Sequence, residues 1–409
     1  MQALIERAAG IDVSQATLVV TILVGPAHTR PRKQTRSFGT VTRELLALRE
    51  WLLSEGITHV AMESTGVYWQ PAYAVLEDAF DVFVANARHI KNVPGRKTDV
   101  KDSEWLADLM RHGLIAKSFV PPKPIRALRE LVRYRRKLVD LRSAERNRVL
   151  KVLESANIKL AIVASDVFGV SGMLMLRALA QNSATPSEIA RLARGRLLRK
   201  LGALELALES RLEDHQRFLL RLQLRRLDLI QADIEAVESR IDQALEPYHE
   251  QLCALRQIPG IEWVTAAVIV SELGTDMSVF RGPRELSAWA GVCPGNNESG
   301  GKRKPTSTRK GNVYLQTALV EAAVAAGRKN GSYFQAKYRR LCARRGKKRA
   351  AMAVAHKLLI AVYHVLLTGE YRDLGPTYLD SIHKRRTTRT LVRRLELLGF
   401  EVNLKERVA

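Results

Sequence analysis

The chain has 409 residues and a formal net charge of +24, from 66 Lys and Arg against 42 Asp and Glu. This length is sufficient for two or three domains that each bury a core, and a hydrophobic content of 46% argues against an extensively disordered chain. The basic excess indicates a polyanionic partner, most simply nucleic acid, and makes generic basicity the weaker interpretation.

The cysteine pattern and the apolar segments bear on the compartment. The three cysteines are far apart, so they predict neither a disulfide framework nor a zinc site: Cys253, Cys293 and Cys342. Polar residues interrupt the apolar start, and no secretory signal is visible. The apolar residues 350–367 include His356 and Lys357, which favours a buried helix over a membrane span. Together these patterns favour a reducing compartment, the cytoplasm.

Residues 1–122 alternate between strand and helix patterns. The sequence predicts strands at residues 10–14, 17–24, 35–38, 59–63 and 82–85, and helices at residues 42–53 and 69–80. Three strands followed by helix–strand alternation predict an α/β sheet with helices packed on it.

Four acids stand out in this region. Asp12 lies in the first strand, Glu63 ends a later strand, and Asp99 and Asp102 are three apart at a helix start, on one helix face. Asp12 also has a structural interpretation as a turn former or a solvated residue, and Asp99 and Asp102 have one as helix caps. Carboxylate oxygens suit Mg²⁺, and two such ions can hold the attacking and leaving oxygens of a phosphodiester.

The order and spacing of these motifs resemble a known family. The motifs are Gly10-Ile11-Asp12, Met62-Glu63-Ser64-Thr65-Gly66-Val67-Tyr68 and Lys97-Thr98-Asp99-x-x-Asp102. They resemble the DEDD transposases of the insertion-sequence 110 family, and the resemblance runs over nearly the whole chain. It implies a RuvC-like first domain of RNase H type and implies that these four acids bind the catalytic metals, with Mg²⁺ as the expected cofactor.

Prolines at 121, 122 and 124 mark a linker to a helical region over residues 123–250. Long helices are predicted over residues 125–157 and 204–245, with apolar residues stepping by three and four, as in a coiled coil. The two helices pair with each other or with another subunit, and we favour a homo-oligomer, a dimer or tetramer. The basic residues of the first helix form a solvated face or contact phosphates, and the nucleic-acid candidates are Arg129, Arg133 and Arg136.

A third, mainly helical domain over residues 251–370 contains a loop rich in glycine and asparagine. Ser299 precedes two glycines there, and a serine in such a loop is by itself usually only a loop residue. Nearby basic residues are candidates for neutralising phosphate: Lys302, Arg303, Lys304, Arg309 and Lys310. The segments Gly-x-x-Pro, Ser-Gly and Lys-Gly-Asn resemble the second motif block of the same transposases, which implies that Ser299 attacks DNA and forms a phosphoserine link. A basic tail follows over residues 371–409.

The resemblance implies a DNA recombinase that cuts and exchanges strands by transesterification, guided by a structured RNA from the mobile element. Two alternatives come from other classes: a RuvC-type, structure-specific nuclease with water as nucleophile, and a non-catalytic nucleic-acid-binding protein. An actin-like phosphotransferase also begins with a Gly-Ile-Asp strand, but this sequence lacks the glycine-rich phosphate loop. Sequence alone leaves open whether the acids and Ser299 meet within one chain or between subunits.

Overall fold

The computed structural model describes residues 3–64, 66–85, 102–182, 184–209, 212–295, 298–303 and 307–405, with residues 298, 299 and 303 described by their backbone alone. The chain divides into two compact units, unit 1 (Met1–Val120) and unit 2 (Pro121–Ala409). The boundaries predicted near residues 122, 250 and 370 stay predictions.

Unit 1 is built on one five-stranded mixed sheet. Its elements are β1 (Arg7–Val13), β2 (Thr17–Val24), β3 (Arg32–Gly39), α1 (Thr42–Ser54), β4 (His59–Glu63), α2 (Trp69–Leu76), β5 (Asp81–Ala85) and α3 (Asp102–Arg111). The strand order is β3-β2-β1-β4-β5, with β1 antiparallel to β2 and parallel to β4. This mixed sheet with helices confirms the predicted α/β class and is consistent with an RNase H-like domain.

The sheet is covered on both faces, and the alternation of side chains along β1 decides which residue faces which helix. Ile11 belongs to the core cluster that includes residues of α1 and α2. Ala8 and, on the neighbouring strand, Ala61 belong to the cluster that contains Leu106 and Met110 of α3. Because successive side chains of a strand point to opposite faces, residues 8, 10 and 12 of β1 lie on the α3 face.

Unit 2 is mainly helical. Its helices are α4 (Lys123–Ser155), α5 (Leu160–Val163), α6 (Val170–Gln181), α7 (Pro186–Ala190), α8 (Leu201–Leu208), α9 (Asp214–Leu245), α10 (His249–Arg256), α11 (Trp263–Leu273), α12 (Pro283–Trp289), α13 (Val313–Ala326), α14 (Tyr333–Arg345), α15 (Lys347–Thr368), α16 (Tyr378–Ser381) and α17 (Lys384–Leu397). Three 3₁₀ turns lie between them, at Gly195–Lys200, Glu246–Tyr248 and Met277–Val279. A two-stranded hairpin joins β6 (Glu298–Ser299) to β7 (Lys302–Arg303).

The two long helices, α4 and α9, pack against each other through Leu138, Ile230 and Ile234. The predicted start of the second helix near residue 204 is wrong, because α8 ends at Leu208 and α9 begins at Asp214. The backbone N–H of Glu213 donates to the side chain of Gln216, so a local capping interaction begins a separate helix. The coiled coil itself stays a prediction.

Helix α15 carries the long apolar run. Among the described residues it is the one helix long and apolar enough to cross a membrane by length and composition. It packs against α13 and α14, and nine of its side chains are buried inside unit 2. This packing agrees with the prediction of a buried core helix.

Candidate functional site

Helix α3 lies directly on strand β1, and Gly10 makes this approach possible. A Cβ atom at Gly10 would lie 2.1 Å from the carbonyl oxygen of Ser103 and 2.4 Å from the backbone nitrogen of Ala107. Any side chain at position 10 would therefore push the helix off the sheet. The glycine fixes the first turn of α3 against the strand that also contains Asp12.

Hydrogen bonds and an ion pair attach the same turn to the next two strands. The buried hydroxyl of Ser103 lies 2.8 Å from that of Thr21 on β2, which lies 3.0 Å from that of Thr35 on β3. Lys33 on β3 forms an ion pair with Glu104. The buried hydroxyls satisfy each other, so this polar contact does not leave an unpaired group in the interior.

Strand register places Asp12 and Glu63 side by side. Ile11 and Met62 are partners in the parallel ladder between β1 and β4, and the two acids are the next residues on each strand. Neighbouring strands are about 4.8 Å apart. Asp12 shares a face with Gly10, and Glu63 shares a face with Ala61, so both carboxylates lie on the α3 face at one end of the sheet. Asp12 is exposed and Glu63 half-buried.

The third described acid comes from α3. Asp102 is the first residue of the helix and precedes Ser103, whose backbone touches Gly10. Asp102 is exposed. The fold therefore brings the elements that carry Asp12, Glu63 and Asp102 to one face of the sheet, while Asp99 lies outside the described residues.

The donor chemistry at this face fits a hard divalent metal, because all the candidate ligands are carboxylates. Within the described part of the chain, which excludes Asp99, no group of three or more His, Cys, Asp or Glu lies close enough to hold a metal ion. Asp12 and Glu63 are the pair that the sheet itself makes adjacent. Proximity of the remaining acids to this pair stays a prediction.

Ser299 lies at the end of a tight hairpin. The hairpin pairs Ser299 with Lys302, and Gly300 and Gly301 form the two-residue turn between them with φ values of +56° and +73°. Turns with two left-handed residues match the twist of a hairpin and favour glycine. Both glycines and Lys302 are exposed. The backbone thus places Ser299 and a basic residue at the tip of an exposed hairpin.

The base of this loop is closed by backbone contacts. The N–H of Gly295 donates to the carbonyl of Ser307 at 3.0 Å, and the N–H of Arg309 donates to the carbonyl of Cys293 at 3.3 Å. Gly291 and Gly311 touch so closely that a Cβ at Gly311 would lie 2.4 Å from the nitrogen of Gly291. The segments on both sides of the loop are held together where α13 begins.

A buried carboxylate ties this region to α4. Glu272 on α11 is fully buried, and Arg133 donates to its two oxygens at 2.7 and 2.8 Å. Arg129 lies 3.2 Å from the same carboxylate and also donates to two backbone carbonyls of α11. Asn312, which caps α13, donates to Glu272 at 2.6 Å. One carboxylate therefore connects three helices.

This network gives a structural role to two residues that the sequence predicted to contact nucleic acid. Burial lowers the pKa of the Arg129 guanidinium, and the neighbouring charge of Glu272 opposes the shift. Arg133 also stacks on the ring of Tyr314, 4.4 Å from its centroid. Both guanidinium groups balance a buried charge, so nucleic-acid contact by Arg129 and Arg133 stays a prediction that the observed contacts do not require.

The other basic candidates are distributed around the loop. Arg136 forms ion pairs with Asp140 and Glu321. Lys302, Arg309 and Lys310 are exposed. Arg303 is described by its backbone in β7, and Lys304 lies outside the described residues.

Sequence reasoning missed the residues that hold the site in place: Gly10, Thr21, Ser103 and Glu272. Two signals were available. A glycine inside a strand, two residues before an acid, indicates a close backbone approach. A single acid inside the apolar run of α11 predicts a buried cationic partner. The hydroxyl pair of Thr21 and Ser103 leaves no such pattern.

Two family profiles match this chain, each over a different segment. A family profile for DEDD transposases of IS110, described as "Transposase", matches residues 9–158. A second profile, described as "Transposase IS116/IS110/IS902 family", matches residues 253–339. The first match covers the strands that carry Asp12 and Glu63, and the second covers the hairpin of Ser299.

Individual relatives are transposases by name. The chain is 32% identical over 148 residues to "Transposase for insertion sequence element IS1111A" of Coxiella burnetii, which is 33% of this chain and 40% of that protein. It is 26% identical over 307 residues to "Probable family 20 transposase" of Pseudomonas aeruginosa, 73% of this chain and 80% of that protein. A 73-residue stretch is 36% identical to "Putative transposase y4qE" of Sinorhizobium fredii, 18% of each chain. The two family profiles, on separate segments of the same chain, show that this protein belongs to the IS110 family of transposases.

Proposed function

We propose that this protein cuts and exchanges DNA strands by transesterification, using acids of unit 1 to hold Mg²⁺ and Ser299 of unit 2 as the nucleophile. The acids are Asp12, Glu63, Asp99 and Asp102. The observation that carries the proposal is the strand register, which makes Asp12 and Glu63 neighbours on the face covered by α3. Two adjacent carboxylates repel each other, and a divalent cation removes that repulsion.

In the proposed reaction, the Ser299 hydroxyl oxygen forms a bond to the phosphorus of DNA and loses its proton. The bond from phosphorus to the sugar oxygen breaks, and that oxygen takes up a proton as the cut strand leaves. Mg²⁺, when bound, supplies stabilisation of negative charge on the phosphate oxygens. Lys302, the cross-strand partner of Ser299, supplies a second positive charge opposite the serine. A second DNA hydroxyl then reverses the reaction and joins the exchanged strand.

The acids belong to unit 1 and Ser299 to unit 2, and we propose that both sets of residues act in the same reaction. A homo-oligomer, a dimer or tetramer, allows the two halves to come from different copies. Mixing a chain that carries Asp12→Asn with one that carries Ser299→Ala tests this. Recovery of activity in the mixture supports assembly between copies, while no recovery supports a site within one chain.

Replacement of Asp12 tests the metal site. Asp12→Asn keeps the shape and removes the charge, so we expect strand cleavage to fall about 100-fold or more and Mg²⁺ binding, measured by calorimetry, to weaken. The matched control is Asp78→Asn, an exposed acid of the same unit, which should leave both unchanged. Unchanged cleavage in Asp12→Asn contradicts the proposed role and favours a non-catalytic nucleic-acid-binding protein.

Trapping of a covalent adduct separates the transposase from a RuvC-type nuclease. The active protein should form a denaturation-resistant complex with labelled DNA, and Ser299→Ala should abolish it. Ser307→Ala, at an exposed serine of the same loop, should retain it. Cleavage without any adduct in the unaltered protein favours water as the nucleophile.

We also propose a structured guide RNA as partner, from the family resemblance and the net charge of +24. The protein would then work in the cytoplasm, at the nucleoid. Sequencing the nucleic acid that co-purifies with the protein tests this proposal. A discrete structured RNA supports it, and random fragments alone contradict it.

A further inference from the structure

A groove of about 650 Å³ lies in unit 2 between α4, α11 and α13. Its volume is within the range of sites that bind small organic groups, roughly 300–1,000 Å³. Apolar and aromatic side chains form much of its lining: Trp263, Val264, Val268, Val313 and Tyr314. Val264 is 42% exposed and Val313 67% exposed, so the apolar surface is open to solvent.

The charges around the groove favour an anion. Five basic and three acidic side chains line it. The acids are already occupied, because Glu272 binds Arg133 and both Asp140 and Glu321 bind Arg136.

Two cations of the groove, Lys137 and Arg142, form no ion pair with an acid among the described residues. Lys137 is exposed and forms no ion pair with a described residue, and Arg142 donates to the amide oxygen of Gln231 at 2.7 Å. Burial lowers the pKa of Arg142, the positive charges of Arg146 and Arg135 lower it further, and the charge of Glu238 opposes the shift. A bound phosphate would relieve this crowding of like charges.

The groove begins where the serine loop ends. Val313 and Tyr314 are the first two residues of α13, directly after Asn312, which caps that helix and binds Glu272. Lys310, exposed, comes just before. The serine loop and the groove therefore follow each other in the sequence and share the start of α13.

We propose that this groove binds an unstacked base of single-stranded nucleic acid, with the adjoining phosphate against Lys137 and Arg142. Trp263 and the face of Tyr314 opposite Arg133 supply aromatic surfaces, and base stacking on such surfaces is tolerant of sequence. Thr265 and Thr317 also line the groove and supply hydroxyls that can donate to or accept from base edges. The inference rests on the proposed function, which makes nucleic acid the substrate. It adds the place where an unpaired strand is held and the contacts that hold it.

The test measures binding of three probes to the Ser299→Ala protein, which under the proposed function leaves DNA uncut. The first probe is a mixed-sequence single strand of 20 nucleotides that contains one 2-aminopurine. The second is the same strand with abasic positions, and the third is the matching duplex. We expect the base-containing strand to bind about 5- to 100-fold more tightly than the abasic strand, with a change in 2-aminopurine fluorescence on binding. Equal affinity for the two single strands overturns the inference.

Two pairs of variants locate the effect. Val264→Asp places a charge in the groove and should remove the preference for bases, whereas Val279→Asp, at a valine 49% exposed outside the groove lining, should keep it. Lys137→Gln should reduce the slope of log K against log salt by about 0.7, whereas Lys151→Gln, on the same helix but outside the lining, should not. Thermal melting checks that each variant folds. An equal effect in both members of a pair contradicts the inference.

The results also separate this inference from the proposed function. If the protein binds the duplex but binds the base-containing and abasic single strands equally, only the inference about the groove is rejected. If the protein binds none of the three probes, both the groove inference and the proposed function are rejected. A change of oligomeric mass in Val264→Asp by light scattering, with the base preference intact, identifies a second copy of the chain as the occupant and overturns the inference.

Discussion

At the residue scale, Gly10 determines how closely α3 approaches the sheet. Its neighbours are backbone atoms of Ser103 and Ala107, which cannot rotate away as a flexible side chain can. The position of Asp102 relative to Asp12 therefore depends on the absence of a side chain two residues before Asp12.

Replacement of Gly10 by alanine should destabilise unit 1 and displace α3. We expect the free energy of unfolding to fall by about 1–3 kcal/mol, as for other overpacked interiors, measured by denaturant titration. Gly202→Ala is the matched control, because no atom lies within 4 Å of a Cβ at that helical glycine. It should be neutral or stabilising by up to about 1 kcal/mol. Equal stability of Gly10→Ala and the unaltered protein would contradict the close contact.

Removal of the buried charge of Glu272 should be much more costly than removal of an exposed one. Glu272→Gln leaves Arg129 and Arg133 without their shared carboxylate, and loss of a buried partner costs about 3–5 kcal/mol. Glu321→Gln removes an acid 62% exposed and paired with Arg136, and it should cost less than about 1 kcal/mol. Denaturant titration compares the two. Similar small effects for both would show that Glu272 is not a structural centre.

Residue roles were only partly predictable. Asp12 and Glu63 were predicted because acids in apolar strands are unusual, and their adjacency follows from strand register. Arg129 and Arg133 carry no sequence signal of their partner, since Glu272 lies about 140 positions away along the chain. Interactions between distant segments depend on packing, which local patterns do not encode.

At the element scale, α15 contains a histidine whose surroundings favour the neutral form. Burial lowers the pKa of His356, and the charges of Lys357 and Lys337 lower it further. Below the ordinary pKa of about 6.5, the unfolded chain binds a proton that the folded protein resists. Stability should therefore fall as the pH drops through that value, and level off below the folded pKa.

Melting temperatures measured from pH 7.5 down to pH 5 test this prediction. His356→Gln should reduce the decline, because it removes the titrating group. His383→Gln, which alters an exposed histidine outside the helix core, should keep it. A decline of the same size in His356→Gln would show that other groups account for the pH dependence.

Elements with strong periodicity were predicted well, and irregular ones were not. The strands β2 and β4 agree residue for residue with the sequence patterns, since alternation and flanking turns define both. The apolar steps of α9 extended the predicted helix back through α8, because periodicity alone does not register a break between two helices. At Ser299 the sequence predicted only a loop, because the two-residue strands of the hairpin are too short to show an alternating pattern.

At the scale of the whole molecule, the net charge of +24 includes an exposed basic corner where α14 meets α15. Its residues are Arg344, Arg345, Lys347, Lys348 and Arg349, all exposed. In the part of the chain that the structure describes, none of them forms an ion pair. Unpaired surface cations favour contact with phosphate, with release of counterions.

Neutralising this corner should weaken nucleic-acid binding and its salt dependence. The triple variant Lys347→Gln, Lys348→Gln and Arg349→Gln should lower the slope of log K against log salt by about 0.9 for each phosphate that is no longer neutralised. A control that changes Lys117, Lys159 and Arg177 to Gln removes the same net charge from residues already in ion pairs. Equal slopes for the two variants would show that only total charge matters.

Strand β1 has a consequence for how the protein is made. One face of this strand is covered by α3, whose residues are synthesised about ninety positions later. At about 5–20 residues per second, a ribosome needs roughly 5 to 20 seconds to supply the missing helix. Until then the nascent sheet exposes the face that carries Asp12 and Glu63. That end of unit 1 is therefore incomplete in every nascent chain that stops before α3.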